Sequence, residues 1–228
     1  MAEGTQPCRV CRTGRLEPFA ELDGKVYRRC RACDAVMLDA AHFPGAAEEH
    51  ARYRRHENDP DDPGYRRFLA RLAVPLLPRL APASEGLDYG CGPGPALARM
   101  LEEAGHRVRL FDPFFHADAT ALHRTYDFIT CSEVAEHFHA PAREFDLLHG
   151  LLRPGGWLAV MTAFRPADVP FERWHYRRDP THVVFYRAES FRRIAADRGM
   201  GCAFPAPGVA LLRRAAASAG ARPASPTP

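Results

Sequence analysis

The chain has 228 residues, 46% hydrophobic and 26% charged, with a formal charge of +3. That is enough for one α/β core and a small appendage, and the mild charge makes no case for a nucleic-acid partner. No apolar run approaches the ~20 residues of a membrane span; the best, AVPLLPRLAPA at 73–83, is broken by Arg79 and three prolines. The N-terminus lacks the basic start and apolar stretch of a signal peptide, so the expected location is cytoplasmic. Thiols are then reduced, and seven cysteines need an explanation other than disulfides.

Four of them open the chain as two pairs, Cys8-x-x-Cys11 and Cys30-x-x-Cys33, separated by 18 residues. A CxxC turn brings two thiolates to one metal, and a second turn on a β-hairpin completes a tetrahedron. Asp23-Gly24 stands between short apolar stretches where such a hairpin would turn. Residues 1–41 are therefore read as a β-rich ribbon around a structural Zn2+ held by Cys8, Cys11, Cys30 and Cys33. A redox dithiol does not explain two pairs at this distance. Its arginines would make either an RNA-facing surface or an ordinary solvated face.

Residues 42–82 read as a helical connector. AAEEHARYRRH suits a helix that NDPDDPG ends, and YRRFLARLAVPLLPRL carries leucines at helical spacing until Pro75 and Pro78 interrupt it. Tyr53, His56 and Tyr65 either reach a substrate or sit on the surface.

From residue 83 to 213 the pattern is α/β. A buried strand ends in Asp88, and Gly90, Gly92 and Gly94 follow as a tight turn. A helix over 95–104 would present its positive end to a ligand, and Asp112, 22 residues beyond Gly90, closes a second strand where a carboxylate can accept ribose hydroxyls. Dinucleotide sites share this glycine pattern. Three features set it apart: the acid before the glycines, the two-residue step to Gly94, and the Pro-Gly-Gly turn of LLRPGGWLAVMT.

Together these segments resemble class I S-adenosylmethionine (SAM)-dependent methyltransferases. The resemblance implies a Rossmann-like sheet with helices on both faces. It implies that Asp88, Gly90 and Gly92 surround the amino-acid part of SAM and that Asp112 holds the ribose. Gly94 would permit close helix packing, and Cys91 would be a small buried filler or a reactive thiol. YDFITCSEVAEHF at 126–138 resembles the fourth strand and the turn facing the methyl group. One departure stands out. Only about 13 residues separate Asp112 from Tyr126, where the family fits a helix, a third strand and an acid for adenine. Here FFHADATALHRT leaves room for a short helix or a brief strand; either Asp118 is the adenine contact, or the sheet is reduced at that edge and Phe114 or Phe115 stacks against adenine instead.

In EVAEH, a helix would put Glu133 and His137 on one face with Glu136 beside them. Such a group suits a divalent cation at Glu133, Glu136 and His137, a general base, or an ion-pair network. The pattern is similar to that of ubiquinone-pathway O-methyltransferases and of small-RNA 2′-O-methyltransferases, in which two glutamates and two histidines hold a metal; His175 or His182 would then complete the set. Other members of the class use the glutamate only to orient the loop near the cofactor's amino group, a role that Glu133 would share. As catalytic candidates, His137 is the expected base and Glu133 the second choice.

WHYRRDPTH would hang Trp174, His175, Tyr176 and Arg177 over the site, either as contacts to a polar acceptor or as a packed lid. AESFRRIAADRG reads as the last helix with Gly199 as its cap, MGCAFPAP and GVALLRR as the closing strand pair, and 214–228 as a disordered tail. The resemblance implies methyl transfer to a polar small molecule. The alternatives are an RNA methyltransferase docking through the ribbon and a non-catalytic SAM-binding protein.

Overall fold

The computed structural model describes residues 6–55 and 58–217. His56 and most of the expected tail, residues 218–228, lie outside the described residues.

The first strands are β1 (Leu16–Leu22), β2 (Lys25–Cys30) and β3 (Val36–Leu38). Asp23 (φ 53°) and Gly24 (φ 72°) both take the left-handed backbone that matches the twist of a two-residue hairpin, so Leu22 faces Lys25. The fourth strand of this sheet comes from far downstream. β8 (Val184–Phe185) pairs antiparallel with β3, giving the order β1-β2-β3-β8. Two residues are too few to show a period, so nothing local in the sequence marks β8 as a strand.

Helices α1 (Ala46–Tyr53) and α2 (Pro63–Leu76) fill the connector. The Asp62 side chain accepts a hydrogen bond from the Gly64 amide, and Pro63 occupies the first helical position, where its missing N–H is not needed. Pro75 falls in the last turn, and a 3-10 turn at Leu77–Arg79 ends the run.

The main sheet contains β4 (Glu85–Tyr89), β5 (Arg107–Phe111), β6 (Tyr126–Ser132), β7 (Leu152–Met161), β9 (Gly201–Ala206) and β10 (Val209–Arg213). Its order is β5-β4-β6-β7-β10-β9; the first four run parallel, β10 runs antiparallel to β7, and β9 runs antiparallel to β10. Alternation divides its side chains between two layers. Phe128, Ala159, Met161, Val209 and Leu211 pack under α2 and α3 (Ala96–Glu103). Leu87, Ile129, Cys131, Leu158, Val160 and Leu212 face the opposite layer, which holds α4 (Pro141–Leu151), α5 (Ala188–Ala196) and the small sheet. Helices cover both faces, as a Rossmann-like sheet requires. Gly199 (φ 61°) follows α5 in the left-handed conformation that stops a helix.

The short interval after Asp112 leaves β5 as the edge strand. The chain closes a tight loop by paired backbone bonds between Asp112 and His116, makes a 3-10 turn at Ala119–His123, and enters β6.

Candidate active site

A cavity of about 600 Å3 opens at the carboxyl ends of the parallel strands, between the glycine turn, the loop after β5, the segment after β6 and the connector helices. This is where parallel α/β sheets bind their ligands.

The glycine turn is held from behind. The Gly90 amide donates to the Phe111 carbonyl (2.7 Å), and a Cβ on Gly90 (φ 75°) would lie 2.4 Å from a Val134 methyl. Gly94 answers to a different neighbour than helix packing. Its Cβ would lie 1.9 Å from the carbonyl oxygen of Asn58, so the connector passes directly over the turn. Asp112 is almost buried: Oδ1 accepts from the Phe114 (2.8 Å) and Phe115 (3.1 Å) amides, and Oδ2 from Gly92 (3.0 Å). A carboxylate offers about four acceptor positions, so one position on Oδ2 is left for a hydroxyl.

Asp88 is wholly buried and accepts the Thr130 hydroxyl (2.7 Å). Burial pushes its carboxyl up to about 6, against the Thr130 hydrogen bond that pulls it down. The folded form therefore prefers the protonated acid, and stability falls as pH rises from about 4, where the unfolded chain ionises, to about 6. Asp88→Asn should be more resistant to urea than the native chain above pH 6, by on the order of 2–3 kcal/mol, with the gain gone below pH 4. Equal denaturation midpoints at pH 8 would contradict this.

Opposite the glycine turn, the expected helical face of EVAEH does not form. Glu133 takes φ 53°, and only Ala135–His137 make a single 3-10 turn. A left-handed non-glycine backbone costs of order 1–3 kcal/mol and gathers at functional sites. It brings Glu133 and Glu136 to one hydroxyl: Tyr176 donates to Glu136 Oε1 and lies 3.2 Å from Glu133 Oε2. Burial and the neighbouring Glu136 push the Glu133 carboxyl up to about 8. One hydroxyl proton cannot serve two carboxylates, and a protonated Glu133 donates to the Tyr176 oxygen instead. Tyr176→Phe would strip the fully buried Glu136 of its partner, so we expect a loss of about 2 kcal/mol in urea unfolding.

His137 places Nδ1 2.9 Å from the Thr181 carbonyl, and His182 places Nδ1 2.7 Å from that of Tyr176. The histidines and Glu136 form a group whose ligand atoms lie within 4.8 Å of one another; Glu133 stands outside it. The remaining wall is aromatic. His50 stacks on Phe114 (ring centroids 5.3 Å apart, planes 7° apart), and Tyr53 packs edge-on against His137. Phe114 and Phe115 line the cavity, whereas Asp118 only caps the following turn and is exposed.

The WHYRR segment separates by direction. Trp174 is buried against Phe171, Tyr176 and Phe185, the arrangement of a packed lid. Arg177 pairs with Asp23 of the hairpin, and His175 is exposed. Only Tyr176 reaches the carboxylates. Its role had no local signal, because its partners lie about 40 residues upstream. Cys91 is a buried filler whose thiol is pushed up by burial.

Away from this cavity, Cys8, Cys11, Cys30 and Cys33 converge with their sulfurs within 4.8 Å of one another, Cys8–Cys33 at 3.6 Å and Cys11–Cys30 at 3.7 Å. A disulfide needs about 2.05 Å. A tetrahedron with metal–sulfur bonds of about 2.3 Å spaces its corners by about 3.8 Å. Amides of Val10 and Cys11 point at the Cys8 sulfur and that of Gly14 at Cys11, as suits thiolates.

Residues 52–202 match a family described as "Methyltransferase domain", more than half of the chain. No curated protein matches the sequence. Among solved structures, an O-methyltransferase family protein from Burkholderia thailandensis superposes with a TM-score of 0.52 at 15% identity, over 78% of this chain and 66% of that one. CalO1, a methyltransferase of calicheamicin biosynthesis solved in its S-adenosylhomocysteine-bound form, gives 0.51 at 15% identity, over 77% and 60%. The chain thus spans slightly less than two thirds of the length of each. With the glycine turn, the parallel strands and the cavity at their ends, the match over 52–202 makes this chain a member of the methyltransferase domain family, with a Rossmann-like fold.

Proposed function

We propose that the chain transfers the methyl group of SAM to a polar small molecule. The observation that carries this reading is the two-sided cavity. One side offers backbone and carboxylates at Gly90, Gly92, Asp88 and Asp112; the other offers Glu133, Glu136, His137 and His182 among aromatic rings. SAM, when bound, supplies an electrophilic methyl on a sulfonium whose leaving group is a neutral thioether. The protein then needs no donor for a developing anion there; its tasks are alignment and removal of the acceptor's proton.

Asp112 holds a ribose hydroxyl on the free position of Oδ2, and the glycine turn admits the amino-acid part without a Cβ in the way. Asp88, beside the glycine turn, and Glu133, across the cavity from it, face the cofactor's positive groups. His137 activates the acceptor: its Nδ1 meets a carbonyl, which can only accept, so the neutral ring's lone pair stands on Nε2. Phe114 and Phe115, which line the cavity, offer ring surface for an adenine or a planar acceptor.

The four cysteines hold a structural Zn2+. No coordination position is left over, so this metal supports the fold and takes no part in methyl transfer. The small-molecule reading is favoured over RNA because four of the ribbon's six arginines pair with acids, Arg12 with Asp146, Arg28 with Asp39, Arg29 with Asp34 and Arg31 with Glu17. Such pairing leaves little free charge for phosphates.

Calorimetry with S-adenosylhomocysteine is the direct test. One site per chain is expected, with no gain in RNA retention at low salt. A chain that binds neither SAM nor its product would be a scaffold, and the proposal would fall.

A further inference from the structure

Glu136 has no accessible surface, yet its Oε2 has no hydrogen-bond partner among the described residues, while Oε1 is held by Tyr176. The other carboxylates on this wall have their own neighbours. Glu144 accepts the Tyr89 hydroxyl (2.6 Å), Asp179 meets the Arg52 guanidinium (2.7 Å), and Glu49 lies 3.1 Å from His139. Beside Glu136 stand His137 and His182, each offering a ring nitrogen within 4.8 Å of the carboxylate and of the other ring. Neither ring can supply the missing donor. Each Nδ1 meets a backbone carbonyl, Thr181 for His137 and Tyr176 for His182, so each neutral ring keeps only a lone pair, on Nε2. Burial holds the His182 ring below its ordinary value, which leaves it neutral at pH 7. Three acceptors thus converge without a donor among them, and the carboxylate adds a negative charge that burial makes costly to leave unmet. No fixed cation answers it: none of the chain's 31 lysines and arginines is among the described residues that line the cavity.

We propose that this wall takes the methyl acceptor as a primary ammonium, whose three N–H groups meet Glu136 Oε2 and the Nε2 atoms of His137 and His182. The inference rests on the methyl-transfer reading of the same cavity and narrows its acceptor to a primary amine. A primary ammonium brings three donors and one positive charge, which the cluster lacks; water or an alcohol brings fewer donors and no charge. Tyr53, set edge-on against His137, and Phe138 line the cavity with the cluster, so the amine's carbon body is apolar. For transfer, His137 Nε2 takes one proton from the ammonium. The neutral amine is no longer held by charge and turns its lone pair to the methyl carbon. The N–C bond forms as the C–S bond breaks, and the electron pair of that bond stays on the thioether sulfur. The product is a secondary ammonium with two N–H groups, one fewer than the cluster accepts, which favours its release; the proton on His137 passes to water.

The test uses the full chain loaded with S-adenosylhomocysteine, and calorimetry with benzylamine, N,N-dimethylbenzylamine and benzyl alcohol at pH 7. Benzylamine is expected to bind at least roughly tenfold more tightly than either of the others. The tertiary amine keeps the charge but has one N–H, and the alcohol lacks the charge. In Glu136→Gln the side-chain oxygen still accepts from Tyr176, and the new NH2 turns to the two ring lone pairs. Thermal unfolding and product binding should therefore hold while the preference for benzylamine disappears. With SAM carrying a labelled methyl, label should pass to benzylamine and not to benzyl alcohol. A native chain that binds the amine no more tightly than the alcohol overturns the proposal, and this needs no variant to fold. So does an amine preference that survives Glu136→Gln, label that never reaches the amine, or label that passes to the alcohol instead, with or without added Mn2+. S-adenosylhomocysteine calorimetry on the same samples keeps the two readings apart: product binding without the amine preference removes only the ammonium site, whereas failure to bind product removes the methyl-transfer reading itself.

Discussion

Replacing Cys33 by serine is expected to abolish zinc retention and lower methyl transfer at least tenfold, while binding of S-adenosylhomocysteine changes only a few-fold. Cys33 is fully buried, and the chain around it serves both sheets. Its carbonyl accepts the Ser190 hydroxyl at the start of α5 (2.8 Å). The next residue, Asp34, is itself held at φ 58° and pairs with Arg29, Arg165 and Arg187, tying the ribbon to the main fold. Three residues later β3 pairs with β8, and from β8 the connection to the cavity is immediate. The Val183 amide donates to the Glu136 carbonyl (2.9 Å), and the Val183 carbonyl accepts from Leu38. His182 sits one residue before. Structural zinc contributes roughly 10 kcal/mol or more in isolated fingers, and a ribbon of some forty residues has little apolar surface with which to replace it. Loss of the metal therefore frees β3, then β8, and with them the positions of His182 and Glu136. The glycine turn and Asp112 stand on the other wall, supported by β4 and β5, and should survive. Metal analysis, thermal unfolding and product calorimetry on one preparation decide the matter. A zinc-free Cys33→Ser chain with native melting and native activity would show that the ribbon neither needs zinc nor supports the site.

This coupling marks the boundary of what was legible in the linear pattern. The hairpin at Asp23-Gly24, the glycine turn, the helix after it and the stop at Gly199 each follow from a local signal: a left-handed turn, an alternation of glycines, a helical period, a cap. The 13 residues between Asp112 and Tyr126 leave room for a short helix or a brief strand, and the chain uses them for a 3-10 turn, with β5 at the sheet edge. What resisted was whatever depends on distant segments meeting. Val184–Phe185 become a strand only because Val36–Met37 offer an edge. His182 joins His137 only because the chain returns after 45 residues, and EVAEH reads as helix because nothing in its letters announces a left-handed Glu133. Gly94 meets a different neighbour than helix packing for the same reason. Its neighbour is the Asn58 carbonyl, brought over the turn by a connector whose path the sequence does not specify.

Asp112→Ala should weaken S-adenosylhomocysteine binding by at least a hundredfold and also destabilise the free protein. The two effects have separable origins. In the free protein the carboxylate gathers three amides, from Gly92, Phe114 and Phe115, and so pins the glycine turn to the loop after β5. Alanine leaves those donors without their partner in a nearly closed setting, at about 1–3 kcal/mol for a buried group. The cofactor then meets a loosened turn and must order it on binding, in addition to losing its ribose contact. A hydrogen bond to a charged acceptor contributes about 1.5–3 kcal/mol, or roughly ten- to a hundredfold in affinity. Asp112→Asn discriminates between the two origins. The amide retains one oxygen, which can keep the Phe114 and Phe115 amides, but it turns an NH2 toward either the Gly92 amide or the ribose hydroxyl. Stability should then recover most of the way while affinity stays low. If Asn restores both, the negative charge is dispensable and backbone ordering alone accounts for the effect. If Ala leaves product binding unchanged, Asp112 is a loop anchor with no part in holding the cofactor, and the ribose must be sought elsewhere on the cavity wall.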